Sequence, residues 1–406
     1  MNWFYRLLTR GGEVATQRHE VQNVASKGAD CLFATEQVYD GYLALASEKE
    51  TSIKGVVRLS IERVEVAKVV HASVKLEVVG HRPWVMTGRF QMEESRRGGI
   101  LYFEEKKTVR LELEVAGDNM KGKFIHRRVG AAEGAKGYFI VGWRNLVESG
   151  AADDLERARQ VLKRWQGILT LAWKCDPYVG GGKNERERFA GWNSYTLGID
   201  KGRVQVCGVS VEGMKMLTSA AVLIDADGTC RVPVVINKND VAHAFGIVLS
   251  ANGEVVVKGV KDVCVGMLAP LAAATLKFQL EEGYPLWGQL GGGFPYTEYL
   301  PMELELHVGE KGEWISPKAG KVTRDQYGRI SQRKLGSNPS ALSLGYNASD
   351  GTFKGTFNAY VNKNGWPKAY VAQVNGVMIK GKGYGTACIK NVGSVPITLQ
   401  IEEGLT

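Results

Sequence analysis

Five short stretches of the chain share one pattern: a turn dipeptide, an alternating strand, and in most copies a glycine inside or just after that strand. They begin at Asp118-Asn119, Lys201-Gly202, Asp227-Gly228, Asn252-Gly253 and Asp350-Gly351. The Asp227 copy carries Pro233 near where the glycine would come. Asn-Gly and Asp-Gly supply the positive φ that tight hairpin turns need, and alternation after them argues strand, not helix. A chain punctuated this way is committed to antiparallel β structure. Glycine supports this: 50 of 406 residues, with no collagen period, fit many turns and bulges.

Outside the repeats the same period of two recurs. Val57, Leu59 and Ile61 alternate with Arg58, Ser60 and Glu62; Val109, Leu111, Leu113 and Val115 alternate with Arg110, Glu112 and Glu114. One face of each strand belongs to a core and the other to water, an arrangement that antiparallel sheets tolerate. Six or so such strands between Tyr39 and Val141 would best hide their edges by closing into a small barrel. Beyond them, Asp153 or Asp154 caps a helix whose apolar positions Leu155, Ala158, Val161, Leu162 and Trp165 share one face. Strands are expected near 193–199, 203–211, 214–224, 230–236, 243–250 and 254–260, with a second helix from Leu268 to Leu280. Gly283 to Pro301 reads as a crossing segment, 318–340 as a long polar and basic loop, and the C-terminal strands as a second barrel. The expected fold is therefore mainly β: two small antiparallel β-barrel domains (1–141 and 284–406) flanking a central α+β domain (142–283), an antiparallel sheet with one or two helices.

A resemblance enters at the C-terminal half. Phe353-Lys354-Gly355-Thr356-Phe357, then Gly381-Lys382-Gly383-Tyr384-Gly385-Thr386-Ala387 and Ser394-Val395-Pro396-Ile397-Thr398-Leu399, look like the ending of glycine-repeat β proteins of mucus-dwelling gut bacteria. The middle units of those proteins start Gly-Trp/Tyr-Arg-Asn, matched here by Gly142-Trp143-Arg144-Asn145. The resemblance spans about two-thirds of the chain. It implies an exported protein, secreted or at the periplasm or cell surface, that binds mucin-type glycoprotein. Some members are described as mucin-degrading, aspartic-protease-like proteins, so it also implies aspartic-peptidase-like hydrolysis.

Two-aspartate catalysis needs carboxylates about 3 Å apart sharing one proton. Asp225 and Asp227, in Leu223-Ile224-Asp225-Ala226-Asp227-Gly228-Thr229, and Asp350, in Asn347-Ala348-Ser349-Asp350-Gly351-Thr352, are the candidate catalytic residues. Both stretches read Asp-Gly-Thr, with glycine and threonine exchanged relative to the usual Asp-Thr/Ser-Gly. A hairpin turn holding an aspartate is the competing reading. On an extended strand Asp225 and Asp227 would share a face, and their like charges could raise one pKa.

No cofactor or metal is expected. Gly180-Gly181-Gly182-Lys183 lacks the spacing and the Ser/Thr of a phosphate loop, the six histidines form no H-x-x-x-H pair, and His243 reads as a core residue. None of Cys31, Cys175, Cys207, Cys230, Cys264 and Cys388 forms C-x-x-C; they read as reduced, with a Cys207–Cys230 disulfide the alternative. No run approaches the ~20 apolar residues of a membrane-spanning helix. The patch from Trp3 to Leu8, broken by Arg6, is too short for a signal-peptide core, which fits a cytoplasmic chain or a mature exported one.

Charge supplies the partner classes. The formal net charge is +9, so an acidic polymer is a plausible partner, either a sulfated or sialylated mucin glycan or nucleic acid. Lys121, Lys123, Arg127, Arg128, Arg157 and Arg164 are the candidate acidic-polymer contacts, against the plainer reading of solvated faces. Trp287, Phe294, Tyr296 and Tyr299 form an aromatic-dense segment suited to stacking on sugar rings, or to packing between domains. Three functions stay open: a mucin-binding and mucin-degrading exported protein, a non-catalytic module for an acidic polymer such as DNA, and a structural surface protein.

Overall fold

A computed structural model describes residues 37–45, 53–64, 69–91, 99–105, 109–126, 136–148, 152–180, 187–200, 202–238, 241–269, 274–280, 304–308, 314–315, 341–363 and 366–401. The chain is mainly β, as its periodicity predicts. Eight strands form the first sheet: β1 (Gln37–Leu45), β2 (Ile53–Val64), β3 (Val69–Val78), β4 (Trp84–Gln91), β5 (Gly99–Glu105), β6 (Val109–Ala116), β7 (Asn119–His126) and β8 (Lys136–Arg144). Their order is β4-β3-β2-β1-β8-β7-β6-β5, and the two end strands approach each other, so the sheet is a nearly closed barrel. The expected alternation holds: on β6 every valine and leucine of Val109, Leu111, Leu113 and Val115 is buried and every intervening residue exposed. Tyr39, Leu59, Ile61, Leu76, Phe103 and Phe124 fill the interior.

β1 departs from this alternation. Nearly all of it is buried, because its outer face is covered too. Tyr42, outward on β1, packs with Ile53 and Leu223, joined by Trp143 and Ala221 of neighbouring segments. Gly41 and Gly142 sit opposite each other in the β1–β8 ladder. A Cβ on Gly142 would lie 2.5 Å from Met120 Cε and 2.8 Å from the Asp40 carbonyl, so only glycine lets these strands close beside Asp40.

The middle region opens with α1 (Ala152–Lys163), its first turn acidic at Asp153 and Asp154, which complements the helix dipole. Ala158, Leu162 and Trp165 bury against β9 (Gly167–Val179) and the strands that follow. These are β10 (Arg188–Asp200), β11 (Arg203–Val209) and β12 (Lys215–Ala221), then a four-stranded sheet of β13 (Leu223–Ile224), β14 (Cys230–Lys238), β15 (Val241–Leu249) and β16 (Val255–Lys258).

After β17 (Val263–Met267) the expected second helix is a strand instead, β18 (Ala274–Leu280). Its alanine run favours a helix locally, but β18 completes a ladder with β25 (Gly393–Ile401), and Phe278 and Leu280 alternate into the core. Tertiary pairing overrides propensity here. β19 (Leu304–Val308) and β20 (Trp314–Ile315) extend that edge. The C-terminal strands β21 (Ser343–Asn347), β22 (Thr352–Lys363), β23 (Trp366–Ile379) and β24 (Lys382–Ile389) run to β25 as an antiparallel half-barrel, where a second closed barrel was expected. Their sheet does not end there. β25 meets β10 in parallel at Arg188↔Gly393, so the middle and C-terminal regions share one 13-stranded sheet that crosses the expected boundary near residue 283. The whole crossing segment 283–301 and the whole loop 318–340 lie outside the described residues.

Candidate functional site

All five repeats are hairpin turns. Gly202, Gly228, Gly253 and Gly351 have φ of 78°, 82°, 91° and 73°, and Gly117, just before Asp118-Asn119, has 59°. In the β13–β14 turn Asp225 N donates to Thr229 O at 2.9 Å and Gly228 N to Asp225 O at 3.1 Å. The β15–β16 turn closes the same way between Ser250 and Glu254. So does a sixth turn, Ser210 to Met214 with Gly213 at φ 78°, which carries Glu-Gly where the sequence pattern looked for Asn-Gly or Asp-Gly.

These turns decide how the three candidate aspartates are engaged. Asp227 Oδ1 accepts from Thr229 N at 2.9 Å, and the Thr229 hydroxyl lies 3.1 Å from Oδ2. The Thr229 amide holds the Asp227 carboxyl below the usual carboxylate range. Asp225 pairs with Arg231 at 2.9 Å. Asp350, in the β21–β22 hairpin of the other sheet, accepts from Thr352 N at 2.9 Å and Thr352 Oγ1 at 2.7 Å. Asp-Gly-Thr is thus a self-capping turn: the threonine two residues on satisfies the carboxylate.

The described basic candidates each face an acid or contact an acceptor. Lys121 and Lys123 project from β7 opposite Glu114 and Glu112 of β6. Arg157 donates to Asp225 O at 3.1 Å and stands 3.9 Å from Asp118, while Arg164 donates to Ala251 O. Arg157 of α1 and Arg164, just past its end, thus tie the helix to hairpin turns at Asp118, Asp225 and Ala251. Arg127 and Arg128, and the aromatics Trp287, Phe294, Tyr296 and Tyr299, lie outside the described residues.

His243, expected in the core, is part-buried at the edge of the middle core. Its Nδ1 is 2.7 Å from the Tyr195 hydroxyl, Trp173 stacks on Tyr195 at 5.0 Å, and burial lowers its pKa. Cys175, Cys207, Cys230, Cys264 and Cys388 are all free thiols. The alternative Cys207–Cys230 disulfide does not form, because Cys207 faces solvent while Cys230 is fully buried in the middle core. Among the described residues no cluster of three His, Cys, Asp or Glu could hold a metal ion.

Sequence reading missed one cleft. It lies between the outer wall of the barrel and the middle region, with a volume of ≈ 570 Å³, within the ~300–1,000 Å³ usual for ligand pockets. The barrel supplies Val56, Arg58 and Ser60 from β2, Ser73, Lys75 and Glu77 from β3, and Val85 from β4. Opposite stand Thr218, Ser219 and Ala220 of β12, Arg203 of β11, and Pro233 and Val235 of β14. Aliphatic walls thus alternate with hydroxyls.

The floor is a charged cluster. Asp40, 6% exposed, comes from the covered outer face of β1. Its Oδ2 accepts from Asn145 Nδ2 at 2.7 Å, and its Oδ1 is 3.7 Å from Arg58. Asn145 ends the Gly142-Trp143-Arg144-Asn145 motif that sequence singled out for another reason. Its Oδ1 accepts from the amides of Val147 and Glu148, both at 3.0 Å, and so holds the turn that carries Glu148. Glu148 is shared between two guanidiniums, Arg58 and Arg203, the latter at 2.7 Å. Burial raises the Asp40 pKa, and neighbouring Glu148 adds to this; Arg58 and Asn145 only partly offset it. At Glu148 burial acts in the same upward direction, but Arg58 and Arg203 outweigh it and the pKa is lowered. One cleft thus holds two carboxyls pushed in opposite directions, a pattern concentrated at functional sites. The signal in the sequence was a lone acid inside Val38-Tyr39-Asp40-Gly41-Tyr42-Leu43, which has no other charged side chain.

No protein-family model and no curated protein matches the chain. Among solved structures, kievitone hydratase from Nectria haematococca is 6% identical over 90% of this chain and 89% of its own, with a TM-score of 0.19. A protein of Nitrosomonas europaea assigned as AttH is 10% identical over 92% and 94%, with a TM-score of 0.17. Likenesses at this level carry no argument about fold or activity.

Proposed function

We propose that the chain binds an acidic, hydroxyl-rich saccharide, of the kind that terminates a mucin-type glycan, in the cleft between the barrel and the middle region. One observation carries this reading: the same ≈ 570 Å³ space presents hydroxyls from Ser60, Ser73, Thr218 and Ser219 beside the cations Arg58, Lys75 and Arg203. Hydroxyls on both sides can exchange hydrogen bonds with a sugar, the aliphatic walls suit its C–H faces, and a guanidinium recognises a carboxylate or sulfate in a planar fork. Arg203, with 53% of its side chain exposed, is placed to reach a ligand. The export implied by the glycine-repeat resemblance would put such a protein where mucin glycans are.

Binding, not hydrolysis, is the activity these contacts support. Asp225 and Asp227 are occupied by Arg231 and Thr229, and neither contact supplies the shared proton of an aspartic dyad.

The test is calorimetric titration with N-acetylneuraminic acid, with galactose as the neutral control. The acid should bind and galactose should not. Arg203→Ala should weaken binding about ten- to hundredfold, the value of ~1.5–3 kcal/mol for a charged hydrogen bond. Equal affinity for the neutral and acidic sugars would remove the proposal.

A further inference from the structure

We infer that the cleft takes up one proton together with its anionic ligand, and that the Asp40 carboxyl is the group that receives it. This rests on the binding reading above. Six charged residues line the cleft: Arg58, Lys75 and Arg203 against Asp40, Glu77 and Glu148. With all six ionised the lining is neutral and offers an anion no net attraction. Lys75 is paired with Glu77, and Glu148 is held by both Arg58 and Arg203. Asp40 is the one of these three acids without a close cation, its approach to Arg58 being 3.7 Å.

Geometry sets Asp40 apart. The charged groups facing it are Arg58 from β2, Glu148 from the turn after β8, and Arg203 from β11. Its approach to Arg58, at 3.7 Å, is loose, because that guanidinium makes its close contact with Glu148. The side chain is 8% exposed, and the carboxyl's only hydrogen bond among the described residues comes from a neutral amide, Asn145 Nδ2 on Oδ2. Burial without a tight counter-ion favours the neutral form.

Protonating Asp40 turns the neutral lining into one of net charge +1 and removes the more distant of the two carboxylates beside Arg58. A bound anion stabilises that state further, so ligand and proton bind together by linkage. The sign follows. Below the pKa of ligand-free Asp40 the proton is already present and affinity is flat. Above it, affinity falls by up to tenfold per pH unit until the pKa of the liganded state is passed.

The experiment is titration of the full chain with N-acetylneuraminic acid, whose own carboxyl is ionised throughout, from about pH 5 to about pH 9 in buffers of differing ionisation enthalpy. Wild type should take up close to one proton per ligand within the window. Asp40→Asn keeps an oxygen to accept from Asn145. It should take up none, lose the pH dependence, and bind more tightly than wild type at the alkaline end. Sugar binding without proton uptake, or uptake that survives in Asp40→Asn, overturns the coupling and leaves the binding site standing. Absence of binding at every pH in both proteins overturns the site and the coupling together. Should Asp40→Asn fail to fold, the wild-type carboxyl is followed by carbon NMR of labelled aspartate: its titration must move to higher pH when the sugar is added, and an unmoved titration overturns the coupling.

Discussion

Asp40 and Glu148 show how two acids of ordinary chemistry take different roles from their surroundings. Asp40 sits on a strand face that would be solvated in an isolated barrel and is covered here by the middle region. Its folded pKa stands above its unfolded one, so between the two values the folded protein keeps a proton that the unfolded chain has lost. Stability therefore falls as pH rises through that window. Urea midpoints across pH should show this fall in wild type and not in Asp40→Asn; parallel curves would mean that Asp40 is not the group responsible. Glu148 has the opposite sign. Its lowered pKa contributes stability above the unfolded value, which is lost as pH drops through the folded one. Glu148→Gln leaves Arg58 and Arg203 without their shared partner and should cost about 1–3 kcal/mol in the same denaturation series.

The hairpin is the element on which the chain is built, and its requirements are local. Gly228, at φ 82°, occupies a backbone region that side chains rarely enter, so Gly228→Ala should cost about 1 kcal/mol or somewhat more in thermal unfolding. Gly142 is needed for a different reason. Its φ is unremarkable, but a methyl there would press on Met120 Cε and the Asp40 carbonyl. Gly142→Ala should cost roughly 1–3 kcal/mol and, because it shifts β1 at the cleft floor, should weaken sugar binding as well. A variant with normal stability and normal binding would show that the strands have room to spare. The Asp-Gly and Asn-Gly turns were legible because their chemistry lies within four or five residues. The Ser210 turn falls between the strands expected at 203–211 and 214–224, although its Glu-Gly is a weaker signal, and Gly213 performs the same service. The α1 pattern was legible too, with Ala158, Leu162 and Trp165 buried as their spacing requires.

At the scale of the molecule, β25 joins what the sequence separates. It pairs with β24, β18 and β10, and Val395, Ile397 and Leu399 are buried at 1%, 0% and 0% exposure. Ile397→Ala should cost about 2–5 kcal/mol, and hydrogen exchange should show the amides of β10 losing protection along with those of β24 and β25. Unchanged protection in β10 would mean that the shared sheet does not unfold as one unit. The barrel of β1 to β8, with its own core, should keep its protection. Strand periodicity, turn position and the inward residues were readable from the amino-acid order because each depends on neighbours one to four positions apart. Where β18 pairs, which outer strand face becomes buried, and which two carboxyls share a cleft all depend on segments brought together from far along the chain: Asp40 meets Asn145 across 105 positions. The desolvation that distinguishes Asp40 from the other acids is a property of that assembly, and no local pattern encodes it.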